Sequence, residues 1–96
     1  MAKRSKPYKE GLDERLGNTE YAAEYLNLAA EEGKADLLMA LRDVARAQGI
    51  ADVARKADRG RESLYKALSE DGNPGLDTLL SVLGALGMRL HFEAAG

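Results

Sequence analysis

The stretch "ADVARKADRGRESLYKAL", residues 51 to 68, holds two short runs of helical periodicity parted by a three-residue break at Asp58, Arg59 and Gly60. Ile50, Val53, Ala54 and Ala57 fall at i, i+3, i+4 and i+7, which predicts a short helix with one narrow apolar stripe. The small side chains of Ala54 and Ala57 let another helix approach closely. Leu64, Ala67 and Leu68 form the matching stripe of a second helix, and Arg61, Glu62, Tyr65, Lys66 and Ser69 lie together on its opposite side. That outer face is almost wholly polar.

The flanks supply the helices that such a pair packs against. A helical turn is expected in "KEGLDERLG". Asn18 then suits an N-cap, with Glu20 in the first turn, and Tyr21, Ala22, Tyr25, Leu26 and Ala29 follow at helical spacing up to a stop at Gly33. Tyr21 and Tyr25 read as core. The next helix runs from about residue 35 to 48, burying Leu37, Leu38, Leu41, Val44 and Ala45, and closes at Gly49. "SEDGNPG" is a loop by composition. Leu76, Leu79, Leu80, Leu83 and Leu86 give a further core-facing helix ending at Gly87, with Gly84 either a tolerated weak point or a site of close packing. The tail changes period: Met88, Leu90 and Phe92 alternate with Arg89, His91 and Glu93, as in a half-buried strand. A single strand needs a partner, which would come from the N-terminal segment or from a second copy of the chain, so a homodimer joined through Met88, Leu90 and Phe92 is expected.

A chain of 96 residues closes one modest core. The expected organisation is a flexible basic N-terminal segment at 1–17 and one folded domain at 18–96. No apolar run reaches the length of a membrane span, and the basic start has no apolar stretch after it, so a cytoplasmic protein is expected. With no cysteine and a lone His91, neither disulfides, a metal site nor another cofactor is expected. Enzyme chemistry has little to stand on, since Ser63 sits on an open helix face and no nucleophile has a base beside it.

The formal net charge of -2 conceals an uneven distribution. Residues 1–9 carry four basic and no acidic side chains; residues 10–36 carry two basic and eight acidic. Residues 37–68 are basic by seven to four, and residues 69–96 acidic by four to one. The middle of the chain is thus positive between negative flanks, and the local field matters more than the total. The run Lys3, Arg4, Lys6 and Lys9 fits a solvated tail or an arm that follows the DNA backbone.

Two short helices, a brief turn, a small residue at their contact and a polar second helix match the helix-turn-helix arrangement, in which the second helix enters the major groove of double-stranded DNA. In that arrangement Arg61 is expected to pair with guanine, Lys66 and either Arg55 or Lys56 to neutralise phosphates, and Ser63 and Tyr65 to bond to phosphate or base, while Gly60 leaves the helix amides open to a phosphate. The same pattern also fits the solvated face of an all-helical bundle. Glu20, Glu24, Glu31 and Glu32 give the first long helix an acidic outer face, either solvated or a docking surface for a basic partner.

"VARKADRGRESLYKALSEDGNPGLDTLLSVLGALGMRL" resembles the helix-turn-helix domain of addiction-module antidote proteins, the prophage-type relatives of HigA-like antitoxins, and "YAAEYLNLAAEEGKADLLMALRDVARAQG" resembles the same family's N-terminal half. The resemblance covers roughly residues 18 to 92; "RESLYKALS" followed by "GNP" and "LDTLL" is specific as a combination. It implies a lambda-repressor-like fold, and with the periodicities above the expected fold is all-α, with an N-terminal helical extension and a short C-terminal β-strand. It further implies a small protein that represses its own operon at an operator and neutralises a RelE/ParE-like toxin encoded beside it. A stand-alone prophage-type regulator and a protein-interaction module without DNA are the alternatives. By the resemblance Ala54 is the small helix-contact residue, and Arg61, Glu62, Ser63, Tyr65 and Lys66 form the recognition face. The chain departs from the family pattern at Asp58 and Arg59, where relatives have glycine and then an apolar residue, at Gly60 in place of a serine cap, and at Ala51 in place of the cap of the first helix.

Overall fold

Capping and stop residues set the boundaries of every long helix. The computed structural model describes residues 11–96 and is helical at 11–16 (α1), Thr19–Glu32 (α2), Lys34–Gln48 (α3), Ile50–Lys56 (α4), Arg61–Ala67 (α5) and Leu76–Ala85 (α6). Asn18 caps α2 as its sequence position predicts, its Oδ1 accepting from the Tyr21 amide at 2.9 Å. Gly33 alone separates α2 from α3. Its φ of 127° is a backbone state that side-chain-bearing residues rarely adopt, so the reversal needs glycine here. The Tyr25 hydroxyl then donates to Asp43 Oδ2 at 2.8 Å and ties the two helices together.

Helical spacing carries the apolar residues to one side of each element, and these sides meet in a single cluster. Ala22 and Leu26 of α2 face Leu38, Leu41, Val44 and Ala45 of α3; Val53 and Ala54 of α4, Leu64 of α5, Leu68, Val82 of α6 and Leu86 complete it. Each fully buried leucine contributes about 1.5–3 kcal/mol relative to exposure. The seven-residue α4 packs on α3, α5 and α6, while α3 in turn packs on α2. Gln48 Nε2 donates to the Leu86 carbonyl at 3.3 Å, which closes the ends of α3 and α6 against each other. Leu12 and Leu16, one turn apart on α1, also enter the core. The packed unit therefore takes in residues from the span 1–17 that was expected as a flexible segment. Lys3, Arg4, Lys6 and Lys9 lie outside the described residues.

Four expectations need correction. There is no strand among the described residues: from residue 88 onward the chain is coil, because no second strand is present to accept its ladder hydrogen bonds. Met88 instead completes the end of α6, its amide donating to the Leu83 carbonyl at 2.8 Å, and its side chain packs at the edge of the core. Leu90 and Phe92 are exposed, Phe92 by 84%. The core-facing arc of α6 runs through Leu79, Val82, Leu83 and Leu86. Leu80 is out of phase with that arc and Leu76 opens the helix at its rim, so both are exposed. Tyr21 is on the surface, where its hydroxyl accepts from Arg15 Nε at 3.3 Å. Finally, α4 begins at Ile50 with Gly49 as its N-cap, so Ala51 is inside the helix and no cap is lost there.

The loop after α5 turns on Gly72, which is buried. A Cβ at this position would stand 2.2 Å from the Ala67 carbonyl oxygen, a backbone atom that has no room to move. At Gly84 a Cβ would meet nothing within 4 Å, so that glycine is a tolerated weak point and not a packing site. Gly72→Ala is therefore expected to cost about 1–3 kcal/mol in urea unfolding, while Gly84→Ala leaves stability unchanged or raises it by up to about 1 kcal/mol.

Candidate functional site

The α4–α5 unit is fixed by its turn. Asp58 has φ 58°, the left-handed state that aspartate tolerates better than most residues with a side chain. The Asp58 amide donates to the Arg55 carbonyl at 3.1 Å and the Arg59 amide to the Ala54 carbonyl at 2.9 Å, the paired bonds of a Schellman ending. Aspartate thus serves where glycine would be usual. Arg59, in place of an apolar anchor, is half-buried with its Nε sealed from solvent, so part of its stem takes up that position. Ala54 is a small residue of α4 and is 3% exposed.

With Leu64 and Leu68 turned into the core, the start of α5 presents Arg61, Glu62 and Ser63 to solvent, and Lys66 follows one turn later. Gly60, the N-cap, contributes no side-chain bond. On the last turn of α4, Arg55 and Lys56 are exposed; Arg55 donates to the Asp52 carboxylate one turn back, a surface pair of little energetic weight. Ser69 does not share the α5 face, because the helix ends at Ala67 and the Ser69 hydroxyl donates to the Lys66 carbonyl at 2.9 Å. A shallow cleft beside α5 brings Ser63, Lys66 and Ser69 together with Asp71 and Asn73 of the following loop.

Tyr65 is half-buried, and the Arg42 guanidinium of α3 stands 5.1 Å from its ring centroid. This contact is absent from any reading of the α4–α5 segment alone. Arg42 comes four residues after the buried Leu38 and three before the buried Ala45, so it borders the apolar stripe of α3, and that position was its only sequence signal. Its Nε is sealed without an acceptor among the described residues, and the cation is held against the aromatic face instead.

The acidic residues divide between two places. Glu31 and Glu32 join Asp36 and Asp43 of α3 along an open groove whose apolar surface includes Leu28 and Met39. Glu20 and Glu24, although exposed on the same helix, do not line it.

An all-helical unit built on a capped long hairpin and a tightly turned pair of short helices is the class of protein that the coordinates define. Over residues 9–94 the chain matches the family described as "probable addiction module antidote protein", and it belongs to that family. It is also 40% identical over 81 residues to an uncharacterized protein of Haemophilus influenzae (strain ATCC 51907 / DSM 11121 / KW20 / Rd), covering 83% of this chain and 84% of the relative. No solved structure gives a significant match. No described helix is long and apolar enough to cross a membrane.

If the Arg42 cation holds the Tyr65 ring, the two side chains are energetically coupled. A double-mutant cycle of Arg42→Ala and Tyr65→Ala in urea unfolding is expected to give a coupling of about 0.5–2 kcal/mol. Additive losses would mean that each side chain acts separately.

Proposed function

We propose that the protein is an antitoxin that also binds double-stranded DNA at an operator of its own operon and represses it, with α4 and α5 as a helix-turn-helix of the lambda-repressor type. The observation that carries the DNA half is the exposed start of α5, Arg61, Glu62 and Ser63, backed by a turn whose backbone bonds fix it against α4. An early-helix arginine suits bidentate contact with guanine; Lys66, Lys56 and Arg55 suit phosphate. Arg42, though not a base contact, sets the attitude of Tyr65 beside them. Family membership supports the antitoxin half, and a RelE/ParE-like toxin is the partner that the family resemblance favours.

Helix-turn-helix proteins commonly read paired half-sites as dimers. A second copy is accordingly part of the proposal. Leu76, 62% exposed, and Leu80 share one side of α6 and offer apolar surface for it.

Fluorescence anisotropy against a duplex from immediately upstream of the start codon, beside a scrambled duplex, tests the DNA half. Binding is expected to prefer the upstream duplex and to weaken steeply with salt. Arg61→Ala should cost about 1–3 kcal/mol and flatten the preference, whereas Lys66→Ala should weaken both duplexes alike and reduce the salt slope by about one. Wild-type affinity in both variants would remove α5 from the interface.

A further inference from the structure

The groove between α2 and α3 has a composition that neither the core nor the α5 surface accounts for. Leu28 is 66% exposed and Met39 37% exposed, two large apolar side chains that helical phase keeps out of the core. Both line the groove, and Glu31, Glu32, Asp36 and Asp43 line it with them. The Tyr25–Asp43 hydrogen bond braces its two walls, so the shape is formed before anything enters. Among the described residues no three carboxylate or histidine side chains are gathered closely enough to hold a metal ion. The acids are spread along an apolar trough.

We propose that this groove is the docking site for a basic amphipathic helix of the toxin partner, an inference that rests on the antitoxin reading. A trough between two packed helices is the natural seat for a third, whose apolar side chains settle on Leu28 and Met39. Lysines and arginines flanking that stripe meet Glu31, Glu32 and Asp36, which sets orientation and speeds encounter. Nucleic acid is a poor occupant because its phosphates would face four carboxylates. A second copy is poor for a related reason: a two-fold contact across this groove brings the same acidic rim onto itself. The stretch at residues 1–9, with four basic side chains and no acidic one, is the remaining occupant of matching charge.

The test uses the full-length chain and the purified product of the gene adjacent to its own, with affinity measured by titration calorimetry at two salt concentrations. Leu28→Lys alters an exposed side chain, so its fold can be verified by circular dichroism and by unchanged DNA affinity. It is expected to loosen the complex by about tenfold or more. The pair Glu31→Lys and Glu32→Lys should loosen it to a similar extent and flatten its salt dependence, while Glu20→Lys with Glu24→Lys, an equal change of charge outside the groove, should stay within about threefold of wild type. A wild-type complex that the groove variants leave intact overturns the docking site and spares the antitoxin reading. No complex with wild type overturns both. Groove variants that change the molecular mass of the free chain while leaving the complex intact assign the groove to a second copy, and amide protection of the groove in the free chain that vanishes on removal of residues 1–9 assigns it to that segment; either result overturns the proposal.

Discussion

The contact of α4 with its neighbours is the constraint on which the rest of the molecule depends. Seven residues make too short a helix to persist in water, and the same is true of α5. Both exist because Val53, Ala54 and Ala57 give α4 a thin, small-residue face that three other helices can approach. A larger side chain at the buried Ala54 would press on the helices packed against α4, and a shift of α5 would carry everything it displays. The surface that α5 displays is therefore a product of core packing. Polarity alone would not place Arg61 or Lys66 anywhere in particular.

The helices themselves were legible in the sequence because local chemistry sets them. Asn18 caps, Gly33 and Gly49 stop, and the apolar spacings in α3 and α4 report faces that are in fact buried. Even the departure at Asp58 was readable, since aspartate enters the left-handed state at modest cost and a glycine there was not indispensable. What failed had non-local causes. Met88, Leu90 and Phe92 alternate as a strand would, yet alternation says nothing about whether a second strand is available, and none is present among the described residues. Leu76 and Leu80 are apolar and helical, but the arc of α6 that meets α4 is narrower than its apolar arc. Arg42 could not be assigned to the site from spacing, because the residue it touches is on another helix.

On the outer face of α5, Arg61, Glu62, Ser63 and Lys66 are exposed as their spacing implies, while Tyr65 is half-buried and Ser69 falls outside the grouping. Ser69 sits after the helix has finished, which pattern alone could not foresee because Leu68 completes the stripe only as the capping residue. Tyr65 is neither free nor buried; it is positioned. The acidic helix divided in a way that charge counting could not anticipate: Glu31 and Glu32 share a groove with α3 carboxylates, while Glu20 and Glu24 remain outside it. Charge on a helix is a one-dimensional pattern, and a groove requires a second helix.

Both surfaces meet in α3. Met39 and Asp43 face the α2–α3 groove, and Arg42, between them in sequence, reaches Tyr65 on α5. Any influence of one surface on the other by way of the packed core has this helix as its shortest route. Coupling of that kind needs an element with two discrete arrangements, so that each ligand can favour one of them. Leu38, Ala40, Leu41, Val44 and Ala45 fix α3 in the core along most of its length, and Gly33 and Gly49 end it sharply on either side. A close-packed helix held in this way resists rotation as a unit. The geometry thus sets the α2–α3 groove and the Tyr65 contact of α5 on one close-packed helix.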